Sequence, residues 1–107
     1  MAHSLQLDLP RFEAKAAAAA QLLKALANEH RLMILCKLTE GELSVGDLVE
    51  MIGLSQSALS QHLGKLRADG LVATRRDAQT IYYRLASADA ARVLQVLADI
   101  YCPPRRR

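Results

Sequence analysis

Between Ser44 and Asp69 the chain reads as two helices of unequal length separated by a glycine turn, and that arrangement leaves few folds open. Ser44 suits an N-cap, and Asp47 three residues on completes a capping-box-like pattern. Val45, Leu48, Val49 and Ile52 then fall at i, i+3, i+4 and i+7, one apolar stripe of a helix that Gly53 ends early. Leu54 and Ser55 complete a tight turn. Ser55 caps a longer helix from Gln56 to about Asp69, which Gly70 stops. A short helix, a glycine turn and a longer helix form the helix-turn-helix pattern, here spanning 44–69.

The longer helix is two-faced. Leu59, Leu63 and Leu66 form a stripe that must face the core together with Leu54. Gln56, Ser57, Ser60 and Gln61 lie elsewhere, in its first two turns. Glutamine pairs bidentately with adenine and serine is permissive, so these side chains suit base edges. A recognition helix reads with its N-terminal residues, so their position counts as much as their type. Lys65 and Arg67 come later and fit phosphate contacts, which position without specifying. His62 reads either as a structural residue at the DNA-facing side or as a further phosphate contact. Gly64 permits close approach, of a neighbouring helix or of DNA.

Past Gly70 the period changes. Leu71 to Arg76 and Thr80 to Leu85 are rich in Val, Ile, Thr and Tyr and read as two strands joined by Asp77-Ala78-Gln79. This hairpin, 71–85, carries Arg75, Arg76 and Arg84; beside a recognition helix it would serve as a wing with its tip along the minor groove. Charge supports that placement. The chain's net charge is only +3, but residues 56–84 hold five Lys/Arg against two Asp, whereas residues 1–55 hold five against seven acidic residues.

Helices flank this unit. Leu9 to Ala27 repeats Phe12, Ala16, Ala19, Leu22, Leu23 and Leu26 at helical spacing. Asn28 caps a second helix to about Thr39, whose Leu32, Met33, Ile34, Leu35, Cys36 and Leu38 predict burial on every side. Ser87 caps a last helix to Tyr101 or Cys102, where Pro103 and Pro104 stop it. The fold expected is mainly α with a β-hairpin: a winged helix-turn-helix of about five helices and a two-stranded wing, one domain over residues 1–107. A chain this short has an unfavourable surface-to-volume ratio, which a second copy would ease.

No run of apolar residues is long enough to span a membrane, and Met1 to Pro10 lacks the pattern of a signal peptide, so a cytoplasmic protein is expected. Two cysteines, Cys36 and Cys102, are too few for an ordinary disulfide scaffold. Nothing pairs a nucleophile with a base at a recognisable site, and no glycine-rich phosphate loop or C-x-x-C occurs, so an enzyme is not expected. A winged helix used only for protein contacts stays open as the alternative to a DNA reader.

Four stretches, Ala27-Asn28-Glu29-His30-Arg31-Leu32, Glu42 to Leu48, Leu54 to Leu63 and Leu71 to Arg76, resemble the ArsR family of bacterial repressors. The likeness covers residues 20 to 102. It implies a homodimer on a near-palindromic double-stranded operator, with residues 1–27 and 87–102 as dimerisation helices; past Pro103 the residues themselves read as a flexible basic tail, 103–107. Many members sense metals. Here Ser44 and Gly46 occupy the places of the thiolate site on the third helix, and the last helix has Asp89 and Asp99 but no histidine. His3, His30 and His62 do not cluster in sequence, and a tight zinc site wants about four ligands, so neither metal nor cofactor is expected.

Within the family the chain is more similar to the HlyU/BigR/SqrR dithiol subgroup, which has one cysteine in the second helix and one at the end of the last. Cys36 and Cys102 sit at those places, and Arg76 to Thr80 in the wing is similar too. The resemblance implies that the two thiols of one subunit become linked by reactive sulfur species or oxidants, releasing DNA in most members; some relatives act as anti-silencers instead. Taken alone, the residues leave two inert thiols as the alternative, because free cysteine is often simply buried. Lys37 is the only charged neighbour of Cys36 in sequence, which gives no basis for a lowered pKa.

Overall fold

The computed structural model describes residues 6–103. The elements run α1 (Leu9–Leu26), α2 (Glu29–Leu38), β1 (Leu43–Ser44), α3 (Val45–Ile52), α4 (Gln56–Ala68), β2 (Val72–Asp77), β3 (Thr80–Leu85) and α5 (Ala88–Tyr101). Their ends follow from local chemistry. Asn28 accepts from the His30 and Arg31 amides, Ser55 from Ala58 and Ser87 from Ala90. The Ser44–Asp47 box is complete: the Asp47 amide donates to Ser44 Oγ at 3.0 Å and the Ser44 amide to Asp47 Oδ2 at 3.2 Å.

Glycine ends both helices of the motif. Gly53 closes α3 at φ 82°, a conformation that costs other residues roughly 1 kcal/mol. At the end of α4 the Gly70 amide donates to the Arg67 carbonyl at 3.0 Å and the Leu71 amide to the Leu66 carbonyl at 2.9 Å. That is a Schellman cap, and its apolar pair, Leu66 and Leu71, is buried. The cap also explains a shifted boundary: Leu71, expected to open the strand, is spent on closing the helix.

The wing is a three-stranded antiparallel sheet in the order β1-β3-β2, one strand more than expected. Leu43 and Ser44 pair with Tyr83 and Tyr82 on the far side of the hairpin. Asp77 pairs with Thr80, so the loop is the two residues Ala78 and Gln79 rather than three. Ala78 has φ 57°, the positive value that two-residue hairpin loops require. The Arg76 Nε donates to the Ala78 carbonyl at 3.1 Å and braces that turn.

One core joins α2, α3, α4, the sheet and α5. Ile34, Leu35, Leu48, Leu59, Leu63 and Leu66 are its largest fully buried side chains. Helix α2 is not buried on every side as expected. Ile34, Leu35 and Leu38 face the core, while Met33 is 45% exposed and Cys36 lies at the surface. Its apolar residues cover two sides, and only one meets the rest of the described residues.

Two further apolar faces find no cover among the described residues. Leu9, Phe12 and Leu23 on α1 and Val96, Ile100 and Tyr101 on α5 are exposed, Leu23 at 60%, Ile100 at 61% and Tyr101 at 77%. The radius of gyration is 16.1 Å, against about 13 Å for a compact domain of this length. No helix among the described residues is long and apolar enough to cross a membrane.

Candidate nucleic-acid interface and thiol pair

Helix α4 presents the two faces its sequence requires. Leu59, Leu63 and Leu66 are fully buried and Leu54 packs against them. Gln56, Ser57, Ser60 and Gln61 are exposed together on its first turns, and Arg67 is exposed further along. Gln56 borders a groove of about 390 Å³ shared with the start of α3 and with Gln79, Thr80 and Ile81 of the wing. The N-terminal turns of α4 and the hairpin thus open on the same space.

The other basic residues are more engaged than their sequence positions indicate. Lys65 Nζ lies 3.4 Å from Asp69 Oδ2, and Asp69 Oδ1 accepts from Gln21 of α1 at 3.2 Å, linking the end of α4 to the first helix. Arg75 Nε donates to Glu42 Oε1 at 2.7 Å, and its guanidinium sits 4.5 Å from the Tyr82 ring centroid. The Glu42 hydrogen bond is the first cause that raises the Arg75 pKa above its ordinary value. Arg76 is exposed, with its Nε turned to the loop.

His62 stands apart from the exposed set. It is half-buried, with its ring 5.7 Å from that of His30 at the start of α2. His3 lies outside the described residues. Burial pushes the His62 pKa down from 6.5, and the charges of Arg31 and His30 push it further. An unfolded chain therefore takes up this proton at higher pH than the folded one. The His62 contribution to stability is complete above about pH 6.5 and is lost as pH falls from there through the lower folded value. We expect His62→Phe to flatten the acid side of the stability profile, followed by urea midpoints from neutral pH downward; an unchanged slope would contradict this.

Gly64 lies on the exposed side of α4, and a Cβ there would meet nothing within 4 Å. Close approach of a neighbouring helix of this chain, one of its two expected roles, is therefore not the reason for a glycine. Gly64→Ala is expected to raise the free protein's stability by roughly 0.5–1 kcal/mol, the helix-propensity difference. If the DNA backbone approaches here, the same change weakens duplex binding. Thermal unfolding and a DNA titration read the two effects separately, and a variant that loses stability contradicts the open site.

Cys36 and Cys102 are both exposed free thiols. Burial raises the Cys36 pKa above its ordinary value, charge on Cys102, 66 positions along the chain, raises it further, and Lys37 lowers it by less. The raised pKa leaves less of Cys36 as thiolate, the reactive form, than in an unperturbed cysteine. Among the described residues no three His, Cys, Asp or Glu side chains gather in a metal-binding group. Sequence reasoning missed Glu42 and Asp69. Their partners, Arg75 and Gln21, lie far along the chain, so no local pattern marks them.

A helix-turn-helix with a polar leading face and a sheet beside it defines the winged helix-turn-helix class. Residues 28–74 match the family model described as bacterial regulatory protein, arsR family. The chain is 52% identical to the transcriptional activator HlyU of Vibrio cholerae over 96 residues, 90% of this chain and 89% of the relative. It is 48% identical to the biofilm growth-associated repressor of Agrobacterium fabrum, covering 92% of this chain and 85% of that one. Among solved structures, BigR from Xylella fastidiosa superposes with a TM-score of 0.85 at 46% identity, covering 90% and 98% of the two chains. Reduced HlyU from Vibrio cholerae gives 0.81 at 53%, covering 86% and 97%. A homodimeric winged helix-turn-helix DNA-binding domain from Mycobacterium bovis gives 0.72 at 35%, covering 98% of each.

This chain belongs to the arsR family of bacterial regulatory proteins. The family and these relatives are DNA-binding transcription regulators, not enzymes.

Proposed function

We propose that the chain is a homodimeric repressor of a near-palindromic operator that responds to reactive sulfur species or oxidants through a Cys36–Cys102 dithiol. The observation that supports this is the pair of exposed free thiols, one on α2 and one at the end of α5, with charge on Cys102 among the causes that raise the Cys36 pKa. A relative of 53% identity has been solved in a form named as reduced, which agrees with redox chemistry in this group. Gln56, Ser57, Ser60 and Gln61 are the base readers, with Lys65, Arg67 and Arg76 on phosphates. The uncovered faces of α1 and α5 are the dimer surface, and cytoplasmic residence follows from work on the chromosome.

The chemistry balances with the inducer as oxidant. One thiolate of the pair attacks a sulfane sulfur of a polysulfide, breaks its S–S bond and releases the shortened polysulfide. The other thiolate then displaces hydrosulfide from that persulfide and leaves a disulfide. Where both thiols are persulfidated, the same displacement leaves a trisulfide and again releases hydrosulfide. With peroxide, one cysteine becomes a sulfenic acid and the other displaces its hydroxyl as water. A direct disulfide needs Cα atoms roughly 4.4–6.8 Å apart, and each inserted sulfur extends the reach by up to about 2 Å. Either bridge ties α2 to the end of α5, and so to the surface that sets the distance between two recognition helices. Half-sites about 34–36 Å apart tolerate little change in that distance.

Intact-mass spectrometry of the reduced protein after a polysulfide donor, with peroxide in parallel, tests the thiol chemistry. The expected result is a mass gain in whole sulfurs, or a simple oxidation, with the two cysteine peptides linked after digestion. Thiols that stay free and alkylatable under both treatments would leave a DNA-binding regulator with a different signal.

A further inference from the structure

One side chain ties the outer wing strand to the start of the helix-turn-helix. In the sheet order β1-β3-β2, Ser44, Tyr82 and Arg75 are Cα partners in one row. Alternate residues of a strand share a face, so Glu42, two before Ser44, lies on the same side as this row. The opposite face carries Leu43 and Tyr83, which pack on the core. On the outer face the Arg75 guanidinium crosses Tyr82 at 4.5 Å from the ring centroid and reaches Glu42 at 2.7 Å. Asp77 stands 4.0 Å from its Nη1. Arg75 thereby spans from β2 over β3 to the residue ahead of β1. Ser44, two positions on, caps α3, and α3 packs against α4.

The geometry points to Glu42 and Arg75 as a positioning pair for DNA binding, a strap that fixes the angle between the wing and the reading face of α4, with Arg75 not itself a phosphate ligand. The inference rests on the DNA-binding reading above. A guanidinium is suited to such a strap because its plane stacks on an aromatic ring while its edge donates to a carboxylate; an ammonium does neither as well. The carboxylate is the informative partner. At a surface meant to meet phosphates, Glu42 is unfavourable unless its task is to hold Arg75. Exposed ion pairs add little to global stability, so the effect belongs to wing placement.

Two readouts on the full chain test this: backbone amide exchange of β2 and β3 in the free protein, and affinity for a duplex enriched by the wild type from a random-sequence pool, across a salt series. Glu42→Ala and Arg75→Ala are each expected to speed exchange in Val72–Asp77 and to weaken duplex binding about three- to fivefold, the ratio an exposed pair is worth. The double variant should be no worse than either single one. The slope of log affinity against log salt should stay at the wild-type value, because no phosphate contact is lost. Glu42→Gln, which keeps an acceptor, should recover part of the loss, and Arg75→Lys should not.

Tighter binding by Glu42→Ala, a salt slope reduced by about one in Arg75→Ala, or rescue by Arg75→Lys would overturn the strap and make Arg75 a phosphate ligand that Glu42 masks. If the wild type enriches no duplex, the DNA-binding reading fails. Wing exchange in the free protein then still judges the strap, and unchanged exchange in both variants overturns it.

Discussion

Truncating Leu63 to alanine is expected to cost the fold about 2–5 kcal/mol, a large share of the roughly 5–15 kcal/mol that holds a domain together. Leu63 is fully buried between Leu59 and Leu66 on the inner stripe of α4. The core around it is aliphatic, with no buried polar side chain among the described residues to recruit water into the void. The lost transfer energy and the unfilled cavity therefore add. Urea unfolding at fixed protein concentration measures the loss, concentration being held because any self-association would contribute to apparent stability. Gln61→Ala, two residues earlier on the exposed side, should stay within about 0.5 kcal/mol of wild type. Equal losses for the two variants would mean that α4 is not seated as described.

The second large effect concerns discrimination, and it should separate from stability. Gln56→Ala and Gln61→Ala are each expected to remove about 1–3 kcal/mol of preference for the selected duplex over a random one, as losing a bidentate base contact does. Affinity for random duplex should hardly change. Arg76→Ala should act in the opposite pattern, weakening both duplexes alike and lowering the salt slope by about one, because phosphate contacts carry no sequence information. Competition titrations with the two duplexes read both quantities. Full preference retained in both glutamine variants would place the reading face elsewhere.

Much of this arrangement was legible in the residues because its boundaries are set locally. Ser44 with Asp47, Ser55, Ser87 and Asn28 cap where they were expected, and Gly53 and Gly70 stop the helices of the motif. The Leu59, Leu63 and Leu66 stripe fixed which side of α4 is left for other work. What escaped the sequence depends on partners far along the chain. Strand β1 has two residues and exists because the free edge of β3 is beside it. Leu43 and Ser44 carry no periodicity of their own. The loop at Ala78 lacks the glycine or asparagine that marks a tight hairpin. His62 meets His30, and Arg75 meets Glu42, across separations that no local pattern records. The exposed side of α2 was hidden for the opposite reason: apolar residues all round it gave no sign of which side the core would leave uncovered.

That uncovered side bears Cys36, on which the proposed response depends. The most direct test compares duplex binding by the reduced protein and by the same protein after polysulfide treatment, at one salt concentration, with Cys102→Ser in parallel. We expect treatment to weaken wild-type binding by a factor of about 5–150, the range of an ordinary allosteric coupling, and to leave Cys102→Ser unchanged. Equal affinity before and after treatment, in wild-type protein shown by mass to be linked, would contradict the account.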